Sequence, residues 1–179
     1  MPLNQWVASS FLIPLIYGST TGNTERISQL IAECWPGNTP LNLISIDSMV
    51  NADIEHASSV IIGVPTWNFG ELQEDWEEIW SSFCEIDFCG KRVALFGLGD
   101  QLGYGDWFLD AMGMVATQVS QKGATLVGEW PVEGYDFESS KALTPCKNAF
   151  VGLALDEDTQ SFETRDRVER WLNLVYPQL

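Results

Sequence analysis

The 179-residue sequence predicts an α/β architecture: an open, doubly wound sheet of parallel strands with helices on both faces. Three observations carry that expectation. Five apolar runs are short and poor in charge, as strands covered on both faces must be. Segments with apolar residues at three- and four-residue spacings alternate with them. Stretches rich in hydroxyls, glycine and aromatics follow three of the runs, where such sheets bind ligands.

Taken in order, the first strand is expected over 12–17 (LIPLIY), with regular pairing from Pro14 onward because proline removes a ladder donor. A helix over 24–35 follows, then a strand at 41–46 and a short helical piece at 49–57. The strand at 60–64 (VIIGV) leads to a helix over 71–83, and the strand at 93–97 (VALFG) to a helix over 106–122. The last strand begins at 125–127, is interrupted over about 131–148 by Gly, Pro, Ser and charged residues, and resumes in FVGLAL at 150–155. A final helix covers 164–176. The whole of 1–179 is expected to be one domain, with 1–10 an N-terminal extension and 131–148 an insertion.

Twenty-five acidic against nine basic residues give a formal charge of -16, which excludes phosphate-backbone binding and points to basic proteins as partners. The four cysteines lack C-x-x-C spacing and the single histidine, His56, cannot complete a zinc site, so no metal is expected and the thiols read as reduced and mostly buried. No basic n-region precedes the apolar stretch near the start, and no apolar run approaches the ~20 residues that span a bilayer. A cytoplasmic protein without membrane insertion is the expectation.

Chemistry concentrates in three loops. GSTTGNT, residues 18–24, offers the hydroxyls of Ser19, Thr20, Thr21 and Thr24 and the free N–H groups of the helix start that follows. It is either a phosphate cradle without a cation or an ordinary capped turn. Asn23 stands where a Walker A loop needs lysine, so triphosphate hydrolysis is disfavoured. The second loop, Pro65-Thr66-Trp67-Asn68-Phe69-Gly70-Glu71, holds an indole that either stacks on a ligand or folds onto the core. The third, Leu98-Gly99-Asp100-Gln101-Leu102-Gly103-Tyr104-Gly105, permits close backbone approach beside a phenol. Its glycines are not a dinucleotide fingerprint: Leu102 occupies the sixth position, and the loop follows the fourth strand.

Two aromatics on separate loops beside a cationless phosphate loop describe a pocket for a flat heteroaromatic ring with a phosphorylated tail. Through GSTTGNT, PTWNFGELQ, GLGDQLGY and FVGLALDEDTQS, in that order, the chain resembles the flavodoxins from about residue 13 on, and the interruption makes it similar to their long-chain subgroup. The resemblance implies a five-stranded sheet of order 2-1-3-4-5 and one noncovalent FMN. Its phosphate would lie in Ser19 to Thr24 and its isoalloxazine between Trp67 and Tyr104. Pro65, Thr66, Asn68, Phe69, Gly70, Leu98, Gly99 and Asp100 would surround the ring or ribityl chain, and Asp158 would meet the ribityl hydroxyls. Trp107 and Leu109 depart from the polar residues that can occur at those positions.

The implied activity is that of a low-potential one-electron carrier, not an enzyme, working between the neutral semiquinone and the anionic hydroquinone. A peptide flip at Asn68-Phe69 would supply a carbonyl to N5, and neither residue is β-branched. The implied partners are basic redox proteins such as a flavodoxin/ferredoxin-NADP reductase, met by a monomer. Glu71, Glu74, Asp75, Glu77 and Glu78, with a second group at Asp156, Glu157 and Asp158, would form a steering rim. The alternatives are an FMN-dependent NAD(P)H:quinone reductase, which needs open space over the ring, and a receiver module, which needs an Asp where Gly18 and Ser19 stand.

Overall fold

In the computed structural model, residues 12–179 are described; the N-terminal extension expected over 1–10 lies outside the described residues. β1 (Pro14–Tyr17) starts at the proline and pairs in parallel with β2 (Asn42–Ser45) on one side and β3 (Ser59–Trp67) on the other. β3 continues to β5 (Arg92–Leu98), so the order runs β2-β1-β3-β5 and ends at β6 (Thr125–Val127). This is the expected 2-1-3-4-5 arrangement.

The last position is shared between two segments. β6 pairs with Arg92 to Ala94, and β9 (Leu153–Leu155) pairs with Phe96 to Leu98. The excursion between them occupies 128–152, longer than the expected 131–148. It leaves at Gly128, where an added Cβ would lie 2.3 Å from Val175, and returns at Gly152, where one would lie 2.3 Å from the Leu95 carbonyl oxygen. Within it β7 (Trp130–Pro131) and β8 (Ala149–Phe150) form an antiparallel ribbon. FVGLAL is therefore divided: Phe150 belongs to the ribbon, and only Leu153 onward rejoins the main sheet.

On one face α1 (Asn23–Cys34) packs against α5 (Thr164–Val175), whose Trp171 indole donates to the Gly128 carbonyl at 2.9 Å. The other face carries α3 (Glu74–Phe83) and α4 (Asp110–Gln121), joined where the Gln118 amide donates to the Cys84 carbonyl at 3.2 Å. The short α2 (Asn51–Glu55) is trimmed at both ends relative to 49–57. Ile16, Ile61, Ile62, Leu95, Phe96, Trp76 and Trp171 are fully buried between the layers.

Two helix starts differ from expectation. Glu71 and Leu72 form β4, antiparallel to the end of β3, because turn residues Asn68 (φ 44°) and Gly70 (φ 88°) fold the chain back; α3 starts at Glu74. The helix expected from 106 begins at Asp110: a 3-10 turn covers Gly105–Trp107, and Leu109 (φ 61°) is left-handed, which interrupts the ladder. Cys89 and Cys146 are exposed while Cys34 and Cys84 are half-buried, so the expectation of mostly buried thiols is corrected.

The excursion crosses α4 at Gly113, where an added Cβ would lie 2.4 Å from the backbone carbonyl of Lys141. Helix propensity alone says that Gly113→Ala stabilises by about 1 kcal/mol. The clash is with backbone, which cannot rotate away, and overpacking of this kind costs about 1–3 kcal/mol. The urea midpoint of Gly113→Ala is therefore expected to fall below that of the parent.

Candidate functional site

The carboxyl ends of β1, β3, β5 and β9 meet around a cavity of about 360 Å³. Its first wall is built by β1 turning into α1. An added Cβ at Gly18 would lie 2.5 Å from both Gln73 Oε1 and Trp76 Cδ1, so glycine lets the turn sit directly on the start of α3. Gly22 (φ 86°) then supplies the left-handed residue ahead of α1, whose first turn has no side-chain cap; its first backbone bond is Arg26 N–H to the Gly22 carbonyl at 3.0 Å. Thr20, Thr21, Asn23 and Thr24 line the cavity. Ser19 Oγ is buried and has no hydrogen-bond partner among the described residues. Uncapped N–H groups, hydroxyls and the positive end of a helix macrodipole together make an anion cradle without a cation. Arg26, the nearest cation along the chain, is paired with Glu157.

The second wall is the β3–β4 turn. Pro65, Thr66, Trp67 and Asn68 line the cavity. Thr66 Oγ1 accepts from the Ala111 N–H at 3.2 Å, Gly70 N–H closes the turn on the Trp67 carbonyl at 3.1 Å, and the Asn68 amide donates to Glu71 at 2.8 Å. The third wall comes from Leu98, Gly99, Asp100 and Tyr104. Asp100 fixes that loop by accepting from the N–H groups of Leu102 (3.0 Å) and Gly103 (2.7 Å). Asp158 completes the expected set around the opening.

Four expected residues do not line the cavity. Ser19 and Gly22, within the first loop, are not among the lining residues, and Gly70 packs under its turn against Asp110. Phe69 points outward, 65 % exposed, with its ring edge-on to Trp107 at 5.0 Å. Three lining residues were not anticipated as site residues: Trp107, Phe108 and Glu157. The Gly105-Asp106 pair ahead of the two aromatics was the available signal for a break there; Glu157 carried none.

Phe108 joins the cavity to the excursion, its ring lying 5.6–5.9 Å from those of Phe137, Phe150 and Tyr135. The Tyr135 hydroxyl donates to the Ala154 carbonyl at 2.6 Å, and burial pushes it up to about 12 despite the Arg167 guanidinium over its ring.

Asp156 is fully buried rather than part of an acidic rim. It accepts from Gln101 N–H and Nε2, Thr159 N–H and Oγ1, and Asp158 N–H, at 2.6–3.1 Å. Burial raises its carboxyl, but the bonds from Thr159 and Gln101 outweigh burial and hold it below the ordinary value of 3.8. Glu157 is likewise nearly buried, 7 % exposed and paired with Arg26. Of the second acidic group only Asp158 faces out; burial and the charges of Asp100, Asp156 and Glu157 raise its carboxyl. Of the first group Glu71, Glu74, Glu77 and Glu78 are exposed and Asp75 is half-buried.

The sequence matches the family model described as Flavodoxin over residues 15–171. It is 48 % identical to a flavodoxin of Synechocystis sp. over 167 residues, 93 % of this chain and 97 % of that protein. It is 43 % identical to flavodoxin 2 of Escherichia coli over 166 residues, 92 % and 95 % of the two chains. Among solved structures, a Fusobacterium nucleatum flavodoxin bound to flavin mononucleotide superimposes with a TM-score of 0.87 at 28 % identity, covering 94 % of this chain and 98 % of that one.

The Asp156 carboxyl has a depressed native value, so its contribution to stability is complete above the unfolded value of 3.8 and is lost as pH falls through the native one. Asp156→Asn sets an amide N–H₂ against donors. It is expected to lose about 1–3 kcal/mol in urea denaturation at neutral pH. The deficit should shrink as the acid limb is entered.

Proposed function

The chain belongs to the flavodoxin family, and from that membership and the donor set of its cavity we infer that it is an electron-transfer protein. It binds one noncovalent FMN and exchanges electrons with other redox proteins, with no substrate turnover of its own. The observation that carries the assignment of FMN to this cavity is the pairing of an uncharged anion cradle with aromatic walls. The fit rests on unused donors: Ser19 Oγ is buried and unpartnered among the described residues, and the first turn of α1 has no side-chain cap. A phosphate ester suits both.

In this reading Ser19 to Thr24 hold the phosphate, Trp67 and Tyr104 wall the ring, and Asp100 and Asp158 meet the ribityl hydroxyls. Pro65, Thr66, Asn68, Leu98 and Gly99 present backbone and small side chains to the remainder, while Gly70 shapes the turn and Phe69 shields its outer edge. Trp107 and Phe108 join this set. Bound there, FMN supplies a ring that takes up and releases electrons one at a time. The aromatic walls exclude water, and the carboxylates of Asp100 and Asp158 oppose further negative charge, which holds the potential low. Asn68 occupies the left-handed region, which asparagine tolerates better than most residues, and the 68–69 peptide is the acceptor we assign to a proton at N5.

The partners we assign are basic. Lys91 and Arg92 stand at the start of β5 and Lys122 at the end of α4, at the amino ends of the strands and opposite the cavity. The cavity end keeps Glu71, Glu74, Glu77 and Glu78 exposed. That polarity steers a cationic surface toward the ring. Among the described residues no helix is long and apolar enough to cross a membrane, and four free thiols suit a reducing compartment. A cytoplasmic monomer is the reading we adopt.

Apoprotein titrated with FMN is expected to saturate at one equivalent, and Trp67→Ala to weaken binding by about tenfold, the scale of one ring stacking contact. Absence of saturable binding by the parent would refute the reading. Electron exchange with a basic redox protein should slow several-fold as salt shortens the Debye length from about 30 Å to about 8 Å. Stopped-flow rates indifferent to salt would remove the steering role.

A further inference from the structure

We propose that Asp75 and Gln73 form a hydrogen-bond relay that sets the direction of the Thr20 hydroxyl proton and so makes Thr20 a phosphate donor; the proposal rests on the phosphate-loop reading above. Gln73 lies between β4 and α3 and is fully buried. Its Nε2 donates to Thr20 Oγ1 at 2.8 Å and to Asp75 Oδ2 at 2.7 Å. A primary amide has two N–H bonds, and both are engaged here.

The orientation of that amide decides the chemistry. An ionised carboxylate accepts only, so Asp75 requires the N–H₂ side of Gln73 to face it. Gln73 Oε1 then faces the space beside Gly18, where an added Cβ would lie 2.5 Å from it and 2.8 Å from the Trp76 indole nitrogen. Neither that oxygen nor the indole N–H has a partner among the described residues, so the present orientation sets an acceptor and a donor on one small space. The reversed amide would set oxygen against carboxylate and N–H₂ against indole N–H. Both sides reject it.

Thr20 consequently receives an N–H on its oxygen, and Nε2 has no lone pair to accept the Thr20 proton in return. The O–H is left to point into the cavity that Thr20 lines. In a cradle without a cation, each hydroxyl helps only if it donates. Gln73 and Asp75 are thus positioning residues, acting on the phosphate through Thr20 and not by contact.

The relay and simple electrostatics give opposite signs for one substitution. Asp75→Asn removes a negative charge near a phosphate, which by Coulomb's law alone tightens FMN binding. The relay says the reverse: an Asn amide pairs with either orientation of Gln73, so the N–H₂ side is no longer forced toward Thr20, and wherever Gln73 turns over Thr20 spends its proton on the Gln73 carbonyl.

The experiment titrates apoprotein with FMN and with riboflavin, which lacks the phosphate. Asp75→Asn is expected to bind FMN several-fold more weakly, part of the value of one hydrogen bond to a charged group, with riboflavin binding unchanged. Gln73→Met, of similar volume and with no charge change, removes the N–H that fixes the Thr20 hydroxyl and leaves it free to rotate; an FMN-only loss is expected here too, and this variant serves alone if the first does not fold. Unchanged or tighter FMN binding by either variant overturns the relay, and so does an equal loss for both ligands. Parent protein that binds FMN no better than riboflavin overturns the phosphate-loop reading itself, a result separable from either variant's.

Discussion

The constraint on which the rest of this structure depends is that an anion must be held by neutral donors inside a protein of formal charge -16. A lysine would supply attraction at a distance; hydroxyls and N–H groups act only in contact and only when correctly turned. Placement therefore replaces charge. Gly18 brings β1 onto the start of α3, Gly22 opens α1 without a side-chain cap, and buried Gln73 ties the loop to the helix across the sheet face. The one arginine within reach is engaged by Glu157.

The opposite side of the cavity depends on the excursion at 128–152. Phe108 is shared between the cavity and the Tyr135, Phe137 and Phe150 cluster, and Gln101 accepts from the Asp136 N–H at 2.6 Å while donating to Asp156. The loop after β5, the segment after β9 and the excursion thus converge on one buried carboxylate. Asp110 adds a further tie: it accepts from the Lys141 N–H at 2.7 Å and packs against Gly70 beneath the β3–β4 turn.

How far the fold and the site were legible follows from which interactions are local. Charge-free runs such as VIIGV and VALFG could only be covered strands, and hydroxyls after a strand could only cap or cradle, so the sheet and three loops were readable. What escaped depends on pairs distant in sequence. Asp156 and Glu157 look like two members of an acidic run. One is buried by donors from Gln101, 55 positions away, and the other is paired with Arg26, 131 away. Trp107 and Phe108 fit a helical spacing until left-handed Leu109 breaks it, a conformation that local propensity disfavours. Glu71 likewise carried a helical pattern, overruled by the hairpin that Asn68 and Gly70 impose.

The sharing of the last sheet position between β6 and β9 bears on the order in which the molecule assembles. Neighbours β1, β2, β3 and β5 are joined by ordinary crossovers, whereas β9 reaches its place beside Phe96 to Leu98 only after the whole 128–152 detour has closed. Closing a detour of that length costs chain entropy before its contacts repay it. Glu157 and Asp158 follow directly on that final strand. The mouth of the cavity therefore rests on contacts between segments distant in sequence, and any occupant that bridges it to the first loop reinforces the closed detour.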